Sequence, residues 1–428
     1  MELLLQCPLC CHTEDQQPQS DHFNHLHSES SNSSSLSSQP SLPSVPSLTP
    51  PPSHQTTTHH QLLTTVKGHT SPIFSLTLHG KYLYSASSTS EIRRCRRDPF
   101  LLQSSTNNNN VVATTNGAIK SLIVSGDFLF SAHQDHKIRV WKIESCENNN
   151  NNNNPNQRLI KSIATLPTFN DRFSKLFSSK NYVEVRRHKR CTWVHHMDTV
   201  SALALSHDGA LLYSASWDRA FKIWRTSDFK CVESVKNAHE DAINAIVVSP
   251  DGVVYTGSAD NRIKAWKVHA GEKKHSLLET LEKHKSAVNA LALNEDGSVL
   301  YSGACDRSIL VWERDGGDGG GEMVVVGALR GHTKAILCLV VVGDLVFSGS
   351  ADNSVRVWRR GVGKSYACVA VLEGHRRPVK CLAVAVAVDF NNGGGPGGDD
   401  ESSSSSCLVY SGSLDCDIKV WRIRVPLL

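Results

Sequence analysis

Residues 196–224 read HMDTVSALALSHDGALLYSASWDRAFKIW. Three short apolar runs, 200–205, 211–214 and 220–224, are separated by turns at His207-Asp208-Gly209 and Ser216-Trp217-Asp218-Arg219. Runs of this length between Asp- and Gly-type turns read as antiparallel strands, not helices. Four residues hold fixed places in the frame. His196 precedes the first strand, Ser214 lies in the second, Asp218 in the following turn and Trp224 in the third. One more strand follows near 230–235, and the pattern restarts at His239.

The frame recurs with a spacing of roughly 40–45 residues, the period of a propeller array. Its later copies are His239/Thr256/Asp260/Trp266, His284/Ser302/Asp306/Trp312, His332/Ser348/Asp352/Trp358 and His375/Ser411/Asp415/Trp421. An earlier copy has Ser131, Asp135 and Trp141 but Thr115 at the histidine place. The first copy has His69 and Ser85, with Thr89 and Cys95 where Asp and Trp belong. That makes seven units.

At these residues the sequence resembles the WD40 repeat family over about 62–428. The resemblance implies an all-β, seven-bladed propeller in which His, Ser/Thr, Asp and Trp form a buried tetrad in each four-stranded blade. Its chemistry is satisfaction: carboxylate accepts from histidine, histidine from hydroxyl, hydroxyl from indole, leaving no polar group orphaned. Reading these sets as His-Ser-Asp catalytic triads fails, because a triad occurs once per active site and not once per blade. The tetrads are therefore structural, and no enzyme, cofactor, metal or small-molecule substrate is expected.

Composition agrees. A chain of 428 residues, 39% hydrophobic, has material for a large core, and a net charge of +4 is too mild to call for nucleic acid. The thirteen cysteines are odd in number and scattered, several in strands (Cys231, Cys338, Cys381, Cys407). They read as free thiols of a reducing compartment. Residues 1–5 lack a basic segment and a full apolar run, so no secretory leader is expected, and the apolar run 335–342 is too short to span a bilayer.

Residues 1–59 form a Ser/Pro-rich tail that cannot bury enough apolar surface to fold, followed by the propeller at 60–428. Cys7, Cys10 and Cys11 in CPLCCH are a lone C-x-x-C, open to a metal, acylation or an inert reading. The last copy ends at its third strand, so its fourth must come from elsewhere. Residues 61–67 are the expected donor, which closes the ring and removes two exposed sheet edges.

Trp141 and Trp224 lie 83 residues apart, nearly two repeats. The insertion 148–195 opens with an asparagine run and supplies an outer strand for the second blade near 158–164. A short helix N-capped by Asn170 or Asp171 is expected next, carrying Phe173, Leu176 and Phe177 against the propeller side. A hairpin follows, its tip at RRHKR. The stretch 166–190, LPTFNDRFSKLFSSKNYVEVRRHKR, with Trp193 and HMDTVSALA, resembles the plant JINGUBANG-like subfamily of WD40 proteins. That resemblance implies a non-enzymatic developmental regulator, cytoplasmic and nuclear, that restrains processes such as pollen germination by binding regulatory proteins such as transcription factors. A monomer is expected. Low-complexity loops at 315–322 and 389–406 interrupt the fifth and seventh blades as surface insertions.

Partner binding is expected on the narrow face, where the histidine and Asp loops emerge. Residues preceding the tetrad aspartate should point there, Trp217 foremost, since exposed aromatics anchor interfaces. Asp198 and Asp241 make that rim acidic over blades three and four; Lys334 and Arg377 make it basic over blades six and seven, a split suited to orienting an extended peptide. Arg186, Arg187, Lys189 and Arg190 read as a docking patch, an import signal or a solvated turn. Basic residues follow the third-strand position in six of seven copies, forming a positive outer ring or merely blunting sheet edges. Two alternatives stand beside the scaffold. One is a peripheral binder of anionic surfaces, phosphoinositide or RNA, through Arg93, Arg94, Arg96, Arg97 and 186–190. The other is a ubiquitin-ligase substrate receptor, against which Trp312-Glu313-Arg314-Asp315 departs from the docking motif.

Overall fold

The computed structural model describes residues 45–49, 58–98, 111–144, 160–176, 182–186, 189–269, 271–316, 321–387 and 404–426. Each repeat folds as one four-stranded antiparallel sheet, and seven such sheets stand around a ring. Blade three shows the plan, with Val200–Leu205 innermost, then Leu211–Ser216, Phe221–Arg225 and Cys231–Val235. The innermost strands are Ile73–His79, Ile119–Ser125, Val200–Leu205, Ile243–Val248, Val288–Leu293, Ile336–Val342 and Val379–Ala387. Successive ones touch, and the last touches the first.

Each blade is packed between two others, so its second strand is covered on both faces. Leu212, Tyr213, Ser214, Ala215 and Ser216 are consecutive buried residues for this reason. Strand alternation is lost there because both faces are interior. The core is accordingly a set of seams, such as Tyr213, Phe221 and Ile223 of blade three against Ile243, Val254 and Trp266 of blade four.

His59–Val66 pairs antiparallel with Ile418–Pro426, completing the last blade's sheet. The ring is thus closed by hydrogen bonds between the first and last strands of the propeller. The second blade takes its outer strand from the insertion, at Ile160–Leu166. The low-complexity loops lie between Ile309–Arg314 and Met323–Leu329, and between Val379–Ala387 and Ser404–Ser413. Residues 388–403 lie outside the described residues.

Two expectations for the insertion need correction. The helix Phe169–Leu176 is capped by Thr168, whose Oγ1 accepts from Asp171 N–H at 3.2 Å. The Asp171 side chain reaches outward: its buried carboxylate accepts from the backbone N–H of Cys231, at 2.9 Å, in the outer strand of blade three. That charge-assisted hydrogen bond to the sheet edge docks the helix. Phe173 is instead 51% exposed, stacked on Phe169 with ring centroids 5.9 Å apart. Phe177 lies outside the described residues.

Candidate protein-binding face

The tetrads decide the shape of the narrow face. In blade three, His196 Nδ1 lies 3.0 Å from Asp218 Oδ2 and Nε2 lies 2.8 Å from Ser214 Oγ, which also accepts from Trp224 Nε1 at 2.9 Å. Blade four repeats this with Thr256 Oγ1, 2.8 Å from His239 Nε2 and 2.9 Å from Trp266 Nε1, while His239 Nδ1 meets Asp260 at 2.9 Å. In blade five Ser302 joins His284 at 2.7 Å and Trp312 at 2.8 Å, with Asp306 on the far side of the imidazole. Ser348 of blade six lies 2.8 Å from His332 and 2.9 Å from Trp358, and Asp352 completes the set. Ser411 of blade seven lies 2.8 Å from His375 and 2.9 Å from Trp421, with Asp415 on His375 Nδ1.

These side chains are not part of the contact surface. Thr256, Ser302, Ser348 and Ser411 have no exposed area, and Trp358 and Trp421 are 0% and 3% exposed, because each lies between its own sheet and the next blade. As expected of structural residues, they can affect a partner only through the loops that they hold. The carboxylates do the holding. Asp218 Oδ2 also accepts from Met197 N–H, and Oδ1 from Ala220 N–H two residues on. The turn after the aspartate is thereby fixed with Arg219 at φ 66°, a left-handed conformation repeated at Asn261, Arg307, Asn353 and Cys416. Burial opposes ionisation of Asp218, but His196 and the Met197 N–H hold its carboxyl well below the usual carboxylate range. Burial pushes the His196 and His375 imidazoles down even though their aspartates pull the other way.

The first two blades depart from this plan. In blade one His69 Nε2 meets Ser85 Oγ at 2.7 Å, and Thr89 bonds Ser71 at 2.9 Å instead of the histidine. His69 Nδ1 is buried with no partner among the described residues. Blade two was expected to lack its histidine because Thr115 stands in that place. His133, from the end of the second strand, supplies one: its Nε2 lies 2.8 Å from Ser131 Oγ, which accepts from Trp141 Nε1 at 2.8 Å. Thr115 Oγ1 is a long 3.4 Å from His133 Nδ1, and Asp135 turns to Arg139 at 2.5 Å.

A bulge in every innermost strand then builds the mouth of the channel. Pairing with the second strand skips one residue in all seven blades: Phe74, Lys120, Ser201, Asn244, Asn289, Leu337 and Lys380. A bulged residue leaves the ladder and its side chain is re-aimed. Ser201, Asn244 and Asn289 spend that freedom on the neighbouring blade, donating to the carbonyls of Ile243, Val288 and Ile336 at 2.5, 3.1 and 2.9 Å. Lys120 lies over the Phe74 ring at 4.5 Å and the Trp217 ring at 5.4 Å. Two aromatics and a cation from blades one, two and three thus meet at one place. Trp217 stands among the expected residues; Phe74 and Lys120 were missed. Aligning the repeats at the second residue of each innermost strand would have found Phe74, where an aromatic stands in place of Ser or Asn; Lys120 is matched by Lys380 and carries no such signal.

The rim residues are held in equivalent places. The carbonyls of Asp198, Asp241, Lys334 and Arg377 accept from the hydroxyls of Ser216, Ser258, Ser350 and Ser413 at 2.9–3.2 Å. Asp198, Lys334 and Arg377 are exposed, and Asp241 is half-buried. The acidic arc and the basic arc therefore lie on either side of the ring, on rigid loops. A cavity of about 310 Å³ beside the acidic arc is lined by Trp193, His195, Asp198, Lys222 and Lys236 among others. The buried Lys222 Nζ donates to Trp193 O and Ser234 Oγ, both at 2.6 Å, tying the end of the insertion to blade three. Burial, and then the positive Arg172, push His195 down to about 4.

Other candidates are placed less favourably. Among the arginines considered for anionic surfaces, Arg93 pairs with Glu91 at 3.1 Å and Arg94 lies over the Tyr82 ring at 4.1 Å. The outer basic positions are partly neutralised too: Arg225 pairs with Asp228, Lys267 with Asp251 and Arg359 with Asp344. In the backbone register of the hairpin Tyr182–Arg186/Lys189–Thr192, Arg186 stands opposite Lys189 and Glu184 opposite Arg190, while Arg187 lies outside the described residues. The tail cysteines Cys7, Cys10 and Cys11 also lie outside them.

The sequence family described as WD domain, G-beta repeat matches residues 188–225, 229–267, 275–313, 323–359 and 366–422. The chain is 30% identical over 115 residues to the Lissencephaly-1 homolog of Caenorhabditis briggsae, covering 26% of this chain and 27% of that protein. It is 24% identical over 148 residues to Elongator complex protein 2 of Saccharomyces cerevisiae, covering 33% and 18%. It is 31% identical over 111 residues to Autophagy-related protein 16 of Arabidopsis thaliana, covering 26% and 21%. The matched stretch thus spans about a quarter or less of the length of these relatives.

Proposed function

We propose that this chain, a seven-bladed propeller of WD40 repeats, is a non-enzymatic protein-interaction scaffold that docks an extended segment of a regulatory protein across its narrow face. The observation that carries the reading is the Phe74–Lys120–Trp217 cluster at the channel mouth, between an acidic and a basic arc. Two aromatic rings gathered about one cation, on a strand and a hydrogen-bonded turn, give an anchor at low entropic cost, while opposite charges on the two arcs fix the direction of the bound segment. The His and Asp side chains that could suggest hydrolysis are used in the tetrads, where they hold loops.

The finer reading rests on the resemblance of residues 166–190 to the JINGUBANG-like subfamily. On that reading the partners are regulators of plant development, transcription factors among them, the setting includes control of pollen germination, and the protein works as a monomer in cytoplasm and nucleus. The anionic-surface and ubiquitin-ligase alternatives are weaker. Arg93 and Arg94 are engaged within the chain, and Glu313 is paired with Arg360 and Lys364.

The test compares wild type with Trp217→Ala and Lys120→Glu in quantitative affinity purification, and repeats the capture at two salt concentrations. Loss of the same partners in both variants, at unchanged melting temperature, supports the face. Capture indifferent to both substitutions would reject it, and capture that collapses steeply with moderate salt would favour phosphate recognition.

A further inference from the structure

The tail, read from composition as unable to fold, sends one short segment onto the side of the disc. Residues 45–49, Val-Pro-Ser-Leu-Thr, lie along the outer strand of blade five, Met323–Leu329, at the seam with blade six. Ser47 forms a parallel bridge with Ala328: Leu48 N–H donates to Ala328 O and Ala328 N–H donates to Pro46 O, both at 2.9 Å. Tyr366 N–H, at the start of blade six's outer strand, donates to Leu48 O at 3.2 Å, and Arg330 donates to Val45 O at 3.2 Å. Thr58 then bonds the Val369 carbonyl in the same outer strand of blade six, so the chain re-enters on the neighbouring blade before joining blade seven.

This is strand addition to an open sheet edge, in which backbone bonds supply affinity and alternate side-chain pockets supply selectivity. Two side chains, three residues apart, reach the disc. Leu48 packs on the seam between blades five and six and Val45 on the seam between blades four and five. Ser47 is exposed and its hydroxyl bonds Thr49. Pro46 contributes a carbonyl and needs no N–H, so proline fits at that place and stiffens the segment in advance of binding. The floor under Leu48 is made by an absence. A Cβ on Gly327 would stand 2.4 Å from Leu48 Cγ, and its three nearest neighbours are all Leu48 atoms. Gly327 has no left-handed backbone to explain it, so its missing side chain serves the docked leucine.

We propose that the blade five–six seam is a second peptide-binding site, which takes a Val-Pro-x-Leu segment of a partner protein by strand addition, and that residues 45–49 are its displaceable resident. The site lies on the side of the disc, apart from the narrow face. A tethered occupant competes at millimolar effective concentration, so the partner's segment gains the groove only when the tail leaves it. The tail repeats Pro-Ser-Leu at 40–42, six residues before Pro46-Ser47-Leu48, so a released tail has a second register at hand.

The test uses the full chain and a fluorescein-labelled peptide of residues 43–50, PSVPSLTP, read by anisotropy. Four proteins are compared: wild type, Leu42→Asp with Leu48→Asp to empty the groove, and that double variant with Gly327→Ala or, separately, Gly327→Val. The emptied groove should bind the peptide about tenfold or more tightly than wild type, and either Gly327 substitution should abolish that binding. Amide exchange at Ala328 should quicken in the double variant and slow again when peptide is added. Equal binding by wild type and the double variant, binding that survives either Gly327 substitution, or no binding by the emptied chain with exchange unchanged would each overturn the proposal. So would a wild-type dimer that the double variant converts to monomer, which would make a second copy the occupant.

Discussion

His133 and Ser131, two residues apart in one strand, hold each other at 2.8 Å and so rebuild from inside the sheet what His196 does for Ser214 from a separate loop. The other blades with a polar residue at the position of His133 carry serine there, as at Ser216, Ser258, Ser350 and Ser413. Replacing His133 by serine should therefore look harmless by analogy and yet cost about 1–3 kcal/mol, since it strips a partner from a buried hydroxyl. Thr115→Ala should cost less, because its contact with His133 is 3.4 Å long and the Ser90 carbonyl that its hydroxyl bonds at 3.1 Å keeps the Thr115 N–H. Urea melts of the two variants check this, and equal losses would show that Thr115 is the true histidine substitute.

The same histidine makes the fold sensitive to acid. Burial, and then the Arg139 charge, push fully buried His133 down to about 3. The unfolded chain therefore takes up its proton first, near pH 6.5. Its contribution is complete above that pH and is lost as pH falls toward 3, the loss amounting to about 2 kcal/mol by pH 5. Asp218, Asp306 and Asp352, held low despite burial, behave as depressed carboxyls whose contribution is lost as pH falls through about 3.8 and below. Melting temperature should be level from pH 7 to 8, decline from 6.5 to 5 and collapse below 4. Calorimetry at these values decides it; a flat profile between 7 and 5 would mean that the buried imidazoles do not resist protonation.

Closure and tail docking predict a graded response to truncation. Removing 1–44 should leave the melting temperature unchanged. Removing 1–55 deletes the packing of Val45 and Leu48, about 1–2 kcal/mol for half-buried side chains, and should lower it by a few degrees. Removing 1–68 deletes His59–Val66, opens the ring and should lower it far more. Matching melts for the last two would show that the closing strand adds no stability.

The repeat frame yields the propeller, because a tetrad spaced over one blade is a pattern that local turns and strands impose. The closing strand follows from counting strands. The bulge ring does not follow, because skipping Lys120 or Phe74 in the ladder changes no residue type that periodicity weighs. His133 escapes for a related reason: a search for histidine before the first strand passes over one in the second. The docked tail escapes because composition averages over fifty-nine residues, whereas docking needs only Val45, Pro46 and Leu48 against an edge that the sequence does not mark as open.

The insertion offers the last prediction. Its helix is held by Asp171, which accepts from Cys231 N–H at 2.9 Å, and its end by Lys222 on the Trp193 carbonyl. The hairpin carrying Arg186, Lys189 and Arg190 therefore hangs between two fixed points, an arrangement unnecessary for a linker or a free import signal. Replacing Arg186, Arg187, Lys189 and Arg190 by serine should leave circular dichroism and melting unchanged while capture of an acidic regulatory partner fails. Asp171→Ala should leave the basic residues in place but release the helix, so that protease cuts faster within 166–195 and capture weakens about tenfold, the loss expected when a docking element must be ordered on binding. If the serine variant still captures every wild-type partner, the hairpin only connects two blades.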